Sequence, residues 1–127
     1  LIDCGPDFRQ QILPVPYKKI DGILITHIHY DHVGGIDDLR PFSWLSDLEI
    51  YANKDTCQGL RHNFPYCFKE HLYPGVPKLN LHTIVPHKAF SIGDKNNRGA
   101  MVCVVSGTSK CVVIFTFLSQ RSAIREM

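Results

Sequence analysis

Within seven residues, Thr26-His27-Ile28-His29-Tyr30-Asp31-His32 place three imidazoles and a carboxylate directly behind an apolar run. Neutral imidazole nitrogen and carboxylate oxygen together suit a divalent ion such as Zn²⁺, and such donors crowd together where a cation offsets their mutual repulsion. The plainer reading of such a composition is a solvated loop rich in histidine. Spacing argues against it. Ile20, Ile23, Leu24 and Ile25 predict a buried strand over residues 20–26, with Asp21 and Gly22 breaking its start. Residues two apart on an extended backbone leave the same face, so His27 and His29 can pinch one ion while Ile28 faces the core. Asp31 is a good N-cap residue, and Val33, Ile36 and Leu39 at helical spacing predict a helix over residues 31–39. That helix turns Asp31 and His32 back toward the same cavity, while Gly34 and Gly35 let it pack closely on its strand. The spacing thus offers two adjacent metal positions.

These residues, His27-Ile28-His29-Tyr30-Asp31-His32, resemble the HxHxDH signature of the metallo-β-lactamase superfamily of metal-dependent hydrolases. Leu1-Ile2-Asp3-Cys4-Gly5-Pro6-Asp7-Phe8-Arg9 is similar to the strand and turn that precede that signature, where an aspartate such as Asp3 braces the metal loop. Ile36-Asp37-Asp38-Leu39-Arg40-Pro41-Phe42 and Glu49-Ile50-Tyr51-Ala52 continue the likeness, most closely to the branch holding cyclic-phosphate phosphodiesterases and a quinone-cofactor accessory protein. The resemblance covers residues 1–93 and leaves 94–127 as a divergent segment of one partial domain, 1–127. It implies an α/β (α+β) fold, an incomplete αββα sandwich with the metal centre at the edge between two sheets. It further implies that His27 and His29 hold a first Zn²⁺ and Asp31 and His32 a second, with Mn²⁺ as the alternative ion, and that Asp31 also steers the attacking water. A bound zinc lowers the pKa of its water to about 7, which supplies hydroxide at neutral pH.

Three further ligands of the family pattern, a third histidine, a bridging aspartate and a last histidine, have no counterpart here. The last histidine of the chain is His87, and Phe117 stands where the bridging carboxylate is expected in Val113-Ile114-Phe115-Thr116-Phe117. With Leu1 in mid-strand, the resemblance also implies that the family's leading strands are missing and that the chain is a fragment. Two functions follow as expectations. One is a hydrolase acting on a small phosphodiester; the other is a non-catalytic truncated remnant that keeps part of the metal site.

Composition fits a cytoplasmic globular protein: 44% hydrophobic, 20% charged and a net charge of +2. Lys18-Lys19 and scattered arginines form no basic stripe, so no nucleic-acid partner is expected, and the oligomeric state is left open. The five cysteines Cys4, Cys57, Cys67, Cys103 and Cys111 form no CxxC pair, which favours free buried thiols over a zinc ribbon or a disulfide framework. Lys110 and the turn beside it divide the apolar run that follows Ala100, so neither half spans a membrane. The remaining expectations are a strand over 48–51, a helix over 54–62 capped by Asn53, an irregular aromatic segment over 64–68 followed by Tyr73-Pro74-Gly75 and Pro77 that either covers a substrate or is a surface loop pinned to the core by its rings, strands over 81–85 and 89–92, and a hairpin of 101–105 with 111–118. His62, His71, His82 and His87 lie outside the motif as spare imidazoles, His87 being the one best placed by sequence order to replace a lost ligand.

Overall fold

A computed structural model describes residues 1–16, 19–93, 100–106 and 111–117, with side chains as far as Gly93. Two compact units divide the chain, Leu1–Val85 and Pro86–Met127. The first holds a parallel sheet of β1 (Ile23–Leu24), β2 (Leu48–Ala52) and β3 (Leu79–Thr83), in that order. Ile23 pairs with Ile50 and Leu24 with Tyr51, while Leu48 to Ala52 pair with Leu79 to Thr83. A bridge from Ile2 to Leu24 adds the chain's first residues beside β1. In the second unit, β4 (Phe90–Ile92), β5 (Ala100–Ser106) and β6 (Cys111–Phe117) form an antiparallel sheet in sequence order. The expected hairpin is therefore present, as β5 and β6. Residues 107–110 between them lie outside the described residues.

The parallel sheet exists because β2 alternates: Leu48, Ile50 and Ala52 are buried and Glu49 and Tyr51 are half-buried. Its buried face packs with Ile23 and Ile25, and with Cys57 and Leu60 of helix α4 (Lys54–Asn63), in one core that also takes Phe8 of helix α1 (Phe8–Ile12), Val33, Ile36 and Leu39. Helix α4 forms where the sequence predicts it. The Asn53 side chain accepts a hydrogen bond from the Thr56 N–H at 2.7 Å, and Arg61 and His62 suit the negative end of the helix dipole. Phe64, Tyr66 and Phe68 pack on the core around buried Cys67, so the aromatic segment is pinned by its rings.

The expected helix over 31–39 is not continuous. Helix α2 runs only over Tyr30–Val33, a 3₁₀ turn follows at Ile36–Leu39, and helix α3 spans Arg40–Ser43. Val33, Ile36 and Leu39 are buried as the spacing required. The break comes from Gly34 and Gly35: the Gly35 amide donates to the Cys4 carbonyl at 2.9 Å, drawing the chain out of helical register. A Cβ at Gly35 would strike the Gly5 carbonyl oxygen and the Phe8 Cβ. Pro41, with no N–H to donate, then begins a fresh turn. The residue that caps α2 is His29 rather than Asp31, with φ −63° and ψ 147°. Likewise the expected strand over 20–26 shortens to Ile23–Leu24, because Thr26 leaves the ladder to bond Asp3.

Candidate metal centre

Asp3 and Thr26 emerge side by side from the carboxyl ends of neighbouring parallel segments, where open α/β sheets present their ligand sites. Asp3 takes φ +52°, a left-handed conformation uncommon outside glycine but tolerated by aspartate and asparagine. That turn aims its carboxylate at the loop. Asp3 Oδ1 accepts from the Thr26 N–H at 2.8 Å, and the Thr26 hydroxyl donates to the carboxylate at 2.9 to 3.0 Å. With its proton committed there, the Thr26 oxygen accepts from His27 Nδ1 at 3.0 Å. Asp3 Oδ2 accepts from His32 Nδ1 at 2.7 Å. One aspartate and one threonine thereby fix the tautomers of two histidines, leaving each Nε2 with its lone pair directed away from them.

Those lone pairs face other acceptors. His27 Nε2 lies 3.2 Å from His29 Nδ1, and His32 Nε2 lies 3.3 Å from Asp31 Oδ2. The His27 ring also sits 4.6 Å from the His29 ring and 3.9 Å from the His32 ring, centre to centre. Two donors held about 2.0–2.1 Å from one tetrahedral zinc lie about 3.3–3.4 Å apart, so both pairs have the separation a shared ion requires. A lone pair facing a carboxylate at such a distance calls for a proton or a cation between them. Hydrogen bonding to Asp3, opposed by burial and aided by the charges of Asp3 and Asp31, raises the His32 pKa above its ordinary value. The donor set therefore fits a divalent ion in pairs. Among the described residues, no three His, Cys, Asp or Glu side chains surround a single ion position.

The backbone holds this loop from below. The Cys4 amide donates to the His32 carbonyl at 2.7 Å, and Gly5 abuts the Asp31 carbonyl so closely that a Cβ there would strike it. Sequence reasoning singled out Asp3 by resemblance but missed Thr26 as the hub, since a hydroxyl's identity does not reveal its direction. Within the first unit, His62, His71 and His82 do not join the four. His82 pairs with Glu49 and stacks on Tyr51 at 4.9 Å, His62 and His71 are exposed, and His87, at φ +61°, belongs to the second unit. Cys4, Cys57 and Cys67 are buried free thiols, as expected, and burial pushes the Cys4 thiol to about 12 and that of Cys67 to about 11. The Cys103 and Cys111 side chains lie outside the described residues. Among the described residues no helix is long and apolar enough to cross a membrane.

The family model described as a beta-lactamase superfamily domain matches residues 1–115. An octanoyltransferase of Porphyromonas gingivalis is 44% identical over 94 residues, 74% of this chain and 19% of that protein. A ribonuclease Z of Methanococcus maripaludis is 32% identical over 90 residues, 66% of this chain and 28% of that protein. The crystal structure of a new diphosphatase from the PhnP family superposes with a TM-score of 0.66 and 32% identity over 91% of this chain and 42% of that one. The chain thus spans less than half the length of each of these three proteins. Family model, parallel sheet and neighbouring structures together establish that this chain belongs to the metallo-β-lactamase superfamily and has its fold.

Proposed function

We propose that the chain carries part of the active site of a zinc-dependent phosphodiester hydrolase, with His27 and His29 holding one ion and Asp31 and His32 a second. The observation that carries this reading is the pairing of donors: His27 Nε2 with His29 Nδ1 at 3.2 Å and His32 Nε2 with Asp31 Oδ2 at 3.3 Å, with His27 oriented from behind by Thr26 and His32 by Asp3. Zinc bound there would supply an activated water at neutral pH and neutralise charge developing on a phosphoryl group. The protein's own part is orientation. Asp3 and Thr26 hold the imidazoles of His32 and His27 in the tautomer that presents Nε2, and Asp31, 76% exposed with Oδ2 toward His32, would use its other oxygen to steer an attacking water. A phosphodiester is the favoured substrate because the relatives include a ribonuclease and a diphosphatase, both named for phosphate chemistry. The ribonuclease makes RNA a substrate to be tested alongside small phosphodiesters, against the expectation of no nucleic-acid partner.

Hydrolysis of bis(p-nitrophenyl) phosphate by the zinc-loaded chain tests the reading, with and without a chelator. Turnover that requires zinc is expected at pH 7.5 and falls as the pH drops. The sign follows from His32: its raised pKa means that protons compete with the ion for Nε2 already above pH 6.5, the ordinary histidine value, and compete harder below it. Turnover that survives chelation, or that rises toward pH 5, would contradict histidine ligation. A second reading, a non-catalytic remnant, is favoured by the absence of a three-donor set among the described residues. It predicts weak zinc binding with no turnover at any pH.

A further inference from the structure

Ile28 stands between His27 and His29, and its side chain rests on helix α4 at Gly59, thirty-one positions further along the chain. A Cβ at Gly59 would lie 2.7 Å from Ile28 Cγ1 and 3.2 Å from both its Cβ and its Cδ1. Rotation about Cα–Cβ swings Cγ1, but in β-branched Ile28 two of the three staggered wells keep a γ-carbon in that direction, and Cβ, 3.2 Å away, is fixed by the backbone, so the Ile28 backbone has to give. The helix cannot easily retreat instead, because Cys57 and Leu60 on either side of Gly59 are buried in the core at 1% and 0% exposure. Glycine also weakens a helix interior relative to alanine, so its presence in the middle of α4 calls for a packing reason.

We propose that Gly59 is a positioning residue for the metal centre: by admitting Ile28 against α4 it sets where the backbone carries His27 and His29, and so the spacing of their two nitrogens. This inference rests on the zinc-binding reading of the loop. A side chain at position 59 pushes the Ile28 backbone outward, and the two histidines flanking it lose their common focus. The relation is steric and reciprocal, so removing bulk at Ile28 compensates for adding it at Gly59.

Zinc titrations of the full chain and of its Gly59→Ala, Gln58→Ala and Gly59→Ala/Ile28→Ala variants, with thermal unfolding of each metal-free protein, test it. Gly59→Ala is expected to lower zinc affinity about 10–100-fold, the range seen when a group supporting a ligand is lost, while the double variant recovers most of that loss and Gln58→Ala, on the exposed side of α4, changes nothing. A packing role alone would move the unfolding temperature and leave zinc affinity within about threefold of the parent, and that result overturns the proposal. So does a double variant that binds no better than Gly59→Ala. Should Gly59→Ala fail to fold, a folded double variant with near-parental affinity supports the coupling and one with lost affinity refutes it. If the parent chain itself binds no zinc, the zinc reading fails, and the imidazole NMR signals of His27 and His29 decide the coupling: moved by Gly59→Ala they support it, unmoved they end it.

Discussion

His27→Ala is expected to abolish zinc-dependent phosphodiester hydrolysis and to weaken zinc binding by more than the 10–100-fold typical of losing a supporting group, because it deletes a donor in contact with the ion. The expectation rests on position. His27 Nε2 and His29 Nδ1 face each other at 3.2 Å, so removing one leaves the other a single donor, and a lone imidazole does not retain zinc at micromolar concentration. The fold should survive. His27 is only partly buried and its side chain bonds Thr26 and His29 rather than the core, so the change in stability should stay near about 1 kcal/mol. Turnover and zinc titration on the parent and the variant, with circular dichroism to verify folding, check the result. Unchanged turnover would mean that the activity resides elsewhere.

Asp3→Asn is the second large effect, and its logic is the tautomer rather than the ligand. Asparagine accepts the φ of +52° at this position, so the substitution adds no backbone strain. Its carbonyl oxygen can keep the bond from the Thr26 N–H, which turns the amide N–H₂ toward His32 Nδ1. A donor there forces the His32 proton onto Nε2, the nitrogen that faces Asp31. Zinc affinity is expected to fall about 10–100-fold although no proposed ligand has been touched. The pKa of His32 should fall back from its raised value, because the hydrogen bond to Asp3 is the largest cause of that rise. Loss of a charge-assisted hydrogen bond also implies a destabilisation of about 1.5–3 kcal/mol. NMR titration of the His32 ring together with zinc titration separates these effects; an unaltered His32 pKa would remove the tautomer argument.

Much of this was legible in the chain. The Asn53 cap of α4 and the alternation of Leu48, Ile50 and Ala52 are local patterns, and each gives the local structure that the pattern requires. What could not be read depends on contacts between distant residues. The helix over 31–39 failed as a continuous element because Gly35 meets Cys4 and Gly5, thirty residues upstream, and no periodicity within 31–39 carries that information. The reach of Thr26 to Asp3, the seat of Ile28 on Gly59 and the diversion of His82 to Glu49 are of the same kind. Local spacing named the candidate donors, and long-range packing sets how those side chains are held.

Anomalous diffraction at the zinc edge from crystals of the zinc-loaded chain would locate the ions outright. Peaks about 2.0–2.1 Å from His27 Nε2 and His29 Nδ1, and at similar distance from His32 Nε2 and Asp31 Oδ2, are the expected result. A peak placed elsewhere on the protein, or no peak with the four side chains pointing apart, would contradict the metal centre proposed for this loop.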